Sequence, residues 1–323
     1  MTSLPFVHPA RDANNTAFSG LVPGMQLAID STSLGEFKTC PRKYYYSILR
    51  GLQPRGGSVH LTFGIWMHSA RELYEKAKLT GAPHDEALDK VLDWALRETW
   101  NEALGRPWVS GHETKTRQSL IQSIVWYLDA LGRDDTFETL VLANGKPAIE
   151  LSFQFDLGLR TQAGEQISLC GHIDRIARMN DTPYILDIKT STYAPDARWA
   201  KQFTPGNQFS IYTLAGRTAF GVQVRDLIVD GVQVGVGFTR FGRHLIPRDD
   251  ETLAEFLDDT ATHVAHMEEA ALAQHWPMND TSCTKYGGCP FQPICERKPS
   301  GREKWIGPEY EQRVWDPLRS RES

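Results

Sequence analysis

The chain has 323 residues, of which 41% are hydrophobic and 23% charged, the balance of an ordinary soluble protein. Its 35 basic residues are outnumbered by 40 acidic ones, and the net charge of −5 excludes a globally basic nucleic-acid binder but not a local basic groove. No apolar run approaches the ~18 residues of a membrane helix, and the N-terminus lacks a secretory pattern. Five cysteines, an odd and sparse set, favour a reducing cytoplasm over a disulfide framework.

The first part of the chain is predicted to be helical after an irregular start. Residues 1–30 lack periodicity and are rich in Asn, Pro and Gly, which is typical of a leader segment. Apolar residues at helical spacing then predict a short helix after Ser31 and helices over 67–80, 85–104 and 116–131.

The apolar spacing then changes to a period of two. The segments "AIELSFQFDL", "ISLCGHIDRIARM" and "YILDIKTS" predict three strands of an antiparallel meander. Helices over 205–220 and 250–276 flank one or two further strands in "DLIVDGVQVGVGFTRF". This order predicts a central mixed sheet flanked by helices, of the α/β or α+β class. We divide the chain into a leader (1–30), a main domain (31–297) and a C-terminal tail (298–323).

Two aspartates and a lysine interrupt the apolar pattern of the meander. Asp187 and Lys189 lie two residues apart, on one face of their strand, and the preceding turn brings Asp174 beside Asp187. Two close carboxylates repel each other unless a cation lies between them, and hard oxygen ligands suit Mg²⁺ or Mn²⁺. Lys189 would then hold a water nucleophile or stabilise charge on a phosphate. The alternative interpretation is an exposed ion pair.

Other polar residues accompany this hairpin in a fixed order along the chain. The ordered set consists of Gly64 to His68, Glu150, Gly171 to Asp174, Asp187 to Lys189, and Gln208 to Tyr212. The pattern G-x-x-x-H, E, G-x-x-D, D-x-K, Q-x-x-x-Y resembles the RecB-like branch of the PD-(D/E)XK nuclease superfamily. The resemblance covers residues 31–297 and implies a restriction-endonuclease-like core.

The resemblance also implies roles for individual residues. Lys189 would be the catalytic lysine, and Glu150 would be an auxiliary acid. Gln208 and Tyr212 would orient the lysine or touch the DNA strand. The implied metal ligands are His68, Asp174, Asp187 and the carbonyl of Ile188. A histidine ligand favours Mn²⁺ over Mg²⁺, because imidazole is softer than carboxylate.

Four cysteines form a second pattern. Cys283, Cys289 and Cys295 are separated by five residues each in "CTKYGGCPFQPIC", and Cys40 lies far upstream in "CPRKYYY". Four thiolates can hold a 4Fe–4S cluster or a zinc ion, although no C-x₂₋₄-C knuckle occurs. The alternatives are unrelated buried thiols, or a zinc-stapled protein without nuclease activity.

One cysteine before the core and three after it resembles the iron–sulfur RecB-like nucleases, among them CRISPR-associated adaptation nucleases and the AddB nuclease domain. Their first C-terminal pair is more tightly spaced than here. The resemblance implies a cluster that staples the N-terminal helix to the C-terminal segment as a helical cap. Cys170, within a predicted strand, is interpreted as a core thiol.

A basic and aromatic segment is a candidate for DNA contact. Residues 36–55 contain five Lys and Arg residues against Glu36 alone. Interleaved cations and tyrosines suit phosphate neutralisation and base stacking. The predicted DNA-binding residues are Arg42, Lys43, Tyr44 and Tyr46. The alternative is a solvated helix face whose tyrosines pack inward.

The sequence therefore predicts a cytoplasmic, Mg²⁺- or Mn²⁺-dependent deoxyribonuclease that carries an iron–sulfur cluster. The resemblance favours an exonuclease on single-stranded or frayed DNA ends, in recombination, repair, phage DNA metabolism or CRISPR adaptation. No G-x-x-x-x-G-K-[ST] loop occurs, so any helicase would be a separate partner. The alternatives are a site-specific endonuclease on the same core and a catalytically silent DNA-binding subunit.

Overall fold

The computed structural model describes residues 17–319, which form two compact units. The first, here the sheet unit, comprises Ser58–Leu151 and His172–Asp249. The second, here the terminal unit, comprises the described residues up to Gly57, the segment Ser152–Gly171, and the described residues from Asp250 onward. Within this part of the chain, no helix combines the length and apolar character needed to cross a membrane.

Ten α-helices are described. They are α1 Ser31–Thr39, α2 Pro41–Tyr44, α3 Val59–Leu79, α4 His84–Glu98, α5 Arg117–Leu131, α6 Ala197–Ala200, α7 Asn207–Thr218, α8 Asp250–Leu272, α9 Gln292–Cys295 and α10 Glu303–Glu309. Eleven strands are also described. They are β1 Ala28–Ile29, β2 Leu52–Pro54, β3 Trp100–Asn101, β4 Arg106–Pro107, β5 Glu138–Thr139, β6 Ile149–Arg160, β7 Gln166–Met179, β8 Thr182–Ser191, β9 Asp226–Gly235, β10 Phe238–Pro247 and β11 Tyr310–Gln312.

The sheet of the sheet unit is mixed, as predicted. β7 pairs antiparallel with β8, β8 pairs parallel with β9, and β9 pairs antiparallel with β10. β5 and β6 also pair with β7. The β7–β8 register starts at Met179 opposite Thr182 and its pairing extends to Arg175 opposite Leu186. Asp174 and Asp187 therefore follow directly where this pairing stops.

Alternation along β8 separates an apolar face from a polar one. Ile188 packs into an apolar cluster with residues of α3, α4 and α5, including Phe63, Met67 and Ile124. Asp187 and Lys189 point to the opposite face, because successive strand residues alternate. That face is where α7 lies, since a Cβ on its Gly216 would meet the side chain of Ile185 at 3.6 Å. Burial of one face thus fixes which way the polar residues point.

Two helix ends differ from the prediction for local reasons. Helix α3 begins at Val59, eight residues before the predicted start, because the Ser58 side chain caps the amide of Leu61. Helix α4 ends at Glu98, and the following residues form the short β3–β4 hairpin. Gly105 supplies the left-handed backbone, φ 57°, that this turn requires.

The terminal unit joins the two ends of the described chain. β2 pairs antiparallel with β11, and Arg50 makes a bidentate ion pair with Glu303. β1 lies inside the predicted leader and pairs in parallel with β7. A small aromatic core holds this unit together: Tyr46, Leu52, Phe291, Ile294, Ile306 and Tyr310.

Candidate active site

Three side chains from different elements converge in the sheet unit. His68 of α3 places Nδ1 2.9 Å from Oδ2 of Asp174 on β7. One ligand atom each from His68, Asp174 and Glu150 lies within 4.8 Å of the others, a grouping that the described residues form nowhere else. The structure therefore unites two of the predicted metal ligands with the predicted auxiliary acid.

The predicted D-x-K pair is formed beside this group. Nζ of Lys189 lies 2.7 Å from Oδ2 and 3.0 Å from Oδ1 of Asp187. Gln208 of α7 donates from Nε2 to Oδ1 of Asp187 at 3.1 Å and to the hydroxyl of Tyr212 at 2.8 Å. Asp187 is thus held by a lysine on its own strand and by an amide from the helix packed on that face. The side chain of Ile188 points to the opposite, apolar face.

The pKa values reflect buried groups of opposite charge. Burial, with a smaller contribution from the nearby Asp174, raises the pKa of Asp187 to about 6 against the lowering effects of Lys189 and His68. Burial works to lower the pKa of His68, but the carboxylates of Asp174 and Asp187 outweigh it and the pKa is raised. A cation at this place would relieve the repulsion between the carboxylates.

Glu150 reaches the site through an unusual backbone conformation. Its φ of 48° lies in the left-handed region, where a residue with a side chain is uncommon, and the residue is buried. Such conformations cost about 1–3 kcal/mol and persist where the surroundings enforce them. At the start of β6, this conformation accompanies the approach of the Glu150 carboxylate to His68 and Asp174.

A buried ion network lies beside the convergent ligands. Asp135 accepts from Arg71 at 2.6 Å, from Arg175 at 3.0 Å and from Arg243 at 2.9 Å. Arg71 also pairs with Glu75, and Arg243 pairs through two nitrogens with Asp230. The three arginines offset the rise that burial alone would cause, and they lower the pKa of Asp135 to about 2.

The network and the convergent ligands border one cavity, whose lining includes His68, Glu150, Asp174, Arg71 and Arg175. Arg71 lies about one helical turn beyond His68, and Arg175 directly follows Asp174. The network thus anchors the elements that carry both ligands. Sequence analysis missed it, although Asp230 in the buried run "LIVDGVQV" was a usable signal, because a charge in such a strand needs a partner.

The donor set suits a hard divalent cation. Nδ1 of His68 is buried and lacks good hydrogen-bond geometry toward any of the described residues, although the Asp174 carboxylate is 2.9 Å away. An imidazole nitrogen that faces carboxylate oxygens without hydrogen-bond geometry is arranged as metal ligands are. One imidazole with carboxylates fits Mn²⁺ or Mg²⁺.

The predicted cysteine site lies in the terminal unit. Asn279 contacts two of the sulfurs, because its amide lies 3.3 Å from Sγ of Cys40 and its carbonyl 4.0 Å from Sγ of Cys283. Burial raises the pKa of Cys283, and the thiolates of Cys289 and Cys40 raise it further. The four sulfurs do not form a group within 4.8 Å of one another. Cys170 is buried, as predicted for a core thiol.

The predicted DNA-binding tyrosines are inside the terminal unit. Tyr44 and Tyr46 are buried, and their rings pack on Phe37 and Phe291. Neither presents a face for base stacking, so the inward-packing alternative describes them correctly. The cations also have protein partners: Lys43 pairs with Glu36, and Nε of Arg42 donates to the carbonyl of Trp276.

Comparison with protein families agrees with this arrangement. The sequence pattern of the PD-(D/E)XK nuclease superfamily matches residues 31–296. The chain belongs to that superfamily. The mixed sheet flanked by helices is thus the fold of a nuclease superfamily, and DNA is the substrate class that membership implies. A comparison with curated proteins found no significant match.

Two solved structures are similar to the chain. One is a candidate exonuclease from Eubacterium rectale, 12% identical, with 79% of this chain and 85% of that chain covered and a TM-score of 0.46. The other is the protein SSO0001, 15% identical, with 84% and 86% covered and a TM-score of 0.36.

Proposed function

We propose that this protein is a metal-dependent DNA nuclease of the RecB-like branch that degrades single-stranded or frayed DNA from an end. The observation that carries the proposal is the convergence of His68, Glu150 and Asp174 next to the ion pair of Asp187 and Lys189. A purely structural ion pair would need neither the neighbouring imidazole nor two further carboxylates.

The ligand set assigns each residue a task. His68, Asp174 and Asp187 would hold the ion with the carbonyl of Ile188, and Glu150 would complete the set on the side of His68. Bound there, Mn²⁺ or Mg²⁺ supplies Lewis acidity toward a phosphoryl oxygen and lowers the pKa of a coordinated water. The His68 imidazole favours Mn²⁺ over Mg²⁺.

Lys189 is the residue available to the substrate. Its side chain is 28% exposed, whereas that of Asp187 is 1% exposed. The buried Asp187 carboxylate therefore orients the ammonium group of Lys189 from the protein interior. Gln208 holds that carboxylate in place through its hydrogen bond to Oδ1. The ammonium can hold the attacking water or stabilise the negative charge that grows on the phosphate. Attack by water forms a new P–O bond and breaks the bond to the leaving sugar oxygen.

A 4Fe–4S cluster on Cys40, Cys283, Cys289 and Cys295 is proposed as a staple within the terminal unit. In a tetrahedral zinc site with Zn–S bonds of about 2.3 Å, the sulfurs would lie about 3.8 Å apart. The four sulfurs are not grouped within 4.8 Å, whereas a cluster binds each cysteine at a different iron. Besides burial, Cys40 and Cys289 each contribute to the raised pKa of both Cys283 and Cys295, and this mutual influence of the four thiols supports a shared site.

The proposal is tested by incubating the protein with Mn²⁺ and DNA labelled at one end, as a single strand, a duplex and a closed circle. We expect loss of the label from linear DNA, survival of the circle, and no cleavage with EDTA. Lys189→Ala should abolish cleavage with an unchanged circular dichroism spectrum, whereas Lys90→Ala, at an exposed lysine paired with Glu86, should cleave normally. Discrete internal cuts in the circle would support the endonuclease alternative instead.

A further inference from the structure

An exposed apolar surface lies beyond the C-terminal end of β8. It consists of Tyr193, Val236 and Phe238, which are 77%, 73% and 41% exposed. Val236 and Phe238 form the tip of the β9–β10 hairpin, and Tyr193 is the second residue after β8. Together with Arg240, these residues are called the hairpin-tip surface below.

The strand registers place Phe238 and Arg240 on the same face of the sheet as Lys189. Lys189 is opposite Gly231 in β9. Arg240 pairs with Gln233, two residues further along β9, and Phe238 pairs with Gly235, four residues further. Residues in register share a face, and every second residue of a strand returns to it. At about 3.3 Å per residue, Phe238 pairs with β9 about 13 Å beyond the position of Lys189. The surface therefore continues the polar face toward the hairpin tip.

The aromatic ring of Phe238 is held in place. A Cβ on Gly235 would collide with that ring, so the ring rests against the bare backbone of its cross-strand partner. The guanidinium of Arg240 lies over the same ring, 5.0 Å from its centroid. Exposed apolar side chains that lie next to one another mark interaction sites, and in this group the ring of Phe238 is held in one position.

Gln233 joins the hairpin to the segment that carries Tyr193. It lies opposite Ser191 on one side and Arg240 on the other. Its Nε2 donates to the carbonyl of Thr192 at 2.9 Å, while its Oε1 is buried and accepts no hydrogen bond from the described residues. The two parts of the hairpin-tip surface are thus linked through one side chain.

We propose that the hairpin-tip surface stacks unpaired bases of the DNA strand whose phosphate lies at Lys189. This inference rests on the proposed nuclease function and adds a strand-holding surface to it. Among the described residues, no carboxylate lies within 4.0 Å of the Arg240 guanidinium, which leaves the cation for a phosphate. Exposed rings beside a cation, on the face of the catalytic lysine, suit a nucleic-acid strand better than an apolar protein partner.

The test compares two fluorescent oligonucleotides of equal length, oligo-dT and an abasic strand with the same phosphates. Binding is measured by anisotropy in the full-length Lys189→Ala protein, so that no strand is cut. We expect Phe238→Ala to weaken oligo-dT binding by roughly 5- to 150-fold, the range that loss of one stacked base gives, and to leave abasic binding unchanged. Leu245→Ala is the matched control, because this exposed leucine lies on the same strand but at its other end.

Three outcomes would overturn the inference: equal oligo-dT affinity with and without Phe238→Ala, an equal loss for both strands, or the same loss in Leu245→Ala. Failure of the proposed nuclease function would be seen in a different measurement, the cleavage of DNA by the parent protein. In that case the parent protein would cut no DNA with Mn²⁺, whatever the hairpin-tip surface binds. A parent that cuts DNA while Phe238→Ala binds oligo-dT normally would refute only the stacking surface.

Discussion

Nζ of Lys189 lies 2.7 Å from Oδ2 of Asp187, and the two side chains differ in exposure, 28% against 1%. A surface ion pair would leave both groups in water, where such a pair contributes little. Here the acid is buried and receives a second donor from Gln208. The relationship therefore orients one accessible ammonium group, and this is what a site for phosphate chemistry requires.

Gln208→Leu should lower turnover while DNA binding stays intact. The change removes the amide that holds Oδ1 of Asp187, and a hydrogen bond to a charged group is worth about 1.5–3 kcal/mol. We expect a roughly 10- to 100-fold fall in single-turnover cleavage rate. Gln202→Leu is the control, since among the described residues its amide donates to the carbonyl of Trp199 alone. A Gln208→Leu protein as fast as the parent would remove the orienting role.

Glu150→Gln should weaken metal binding without DNA present. The substitution keeps the shape of the side chain but removes its charge beside His68 and Asp174. Calorimetric titration with Mn²⁺ should show an affinity at least about tenfold lower, the smallest loss usual when even an outer partner of a metal site is removed. Glu138→Gln, at an exposed glutamate paired with Arg178, should bind like the parent. Equal Mn²⁺ affinity in both variants would exclude Glu150 from the ligand set.

Asp135→Asn should destabilise the fold in a pH-dependent way. The three arginines hold the pKa of Asp135 at about 2, below the ordinary 3.8. The ionised carboxylate therefore stabilises the fold fully above pH 4, and this stabilisation is lost as the pH falls toward 2. This lowering corresponds to roughly 2 kcal/mol. In urea unfolding, the difference in free energy of unfolding between parent and variant should be smaller by roughly 1 kcal/mol at pH 3 than at pH 7.

Asp134→Asn is the matched control for that measurement, because Asp134 is the exposed neighbour of Asp135 in the same loop. Its unfolding curves should follow those of the parent at both pH values. A gap between parent and Asp135→Asn that stays constant with pH would mean that the ionised carboxylate is not what holds the three arginines.

Cys289→Ala should lose iron and stability together, whereas Cys170→Ala should keep both. Cys289 belongs to the proposed cluster in the terminal unit, while Cys170 is a buried thiol beside Ala28. Iron content and absorbance near 400 nm after anaerobic purification distinguish the two. If both variants carry as much iron as the parent, or if the parent contains none, the cluster is absent.

The position of the candidate site could be predicted because short-range geometry determines most of it. A spacing of two fixes Asp187 and Lys189 on one strand face, and a spacing of four fixes Gln208 and Tyr212 on one helix face. The polar face of β8 then follows from burial of Ile188. These relationships depend on local periodicity, which the sequence records directly.

The missed features depend on distant contacts. Asp135 lies in a loop, and its three arginines come from α3, β7 and β10, so no local pattern joins them. The left-handed backbone of Glu150 has no cue either, because glutamate is not a residue that prefers it. Three consecutive tyrosines are compatible both with base stacking and with inward packing. In the structure Tyr46 packs on Phe291, which buries the ring that stacking on DNA would require to be exposed.

We infer that Lys189 and its neighbours cut DNA with a bound metal ion. This inference is tested by cleavage of end-labelled linear DNA and closed circular DNA by the parent and by Lys189→Ala, with Mn²⁺ at equal protein concentration. We expect the parent to degrade the linear DNA and spare the circle, and the variant, equally folded, to degrade neither. Equal cleavage by both proteins would contradict the assigned active site.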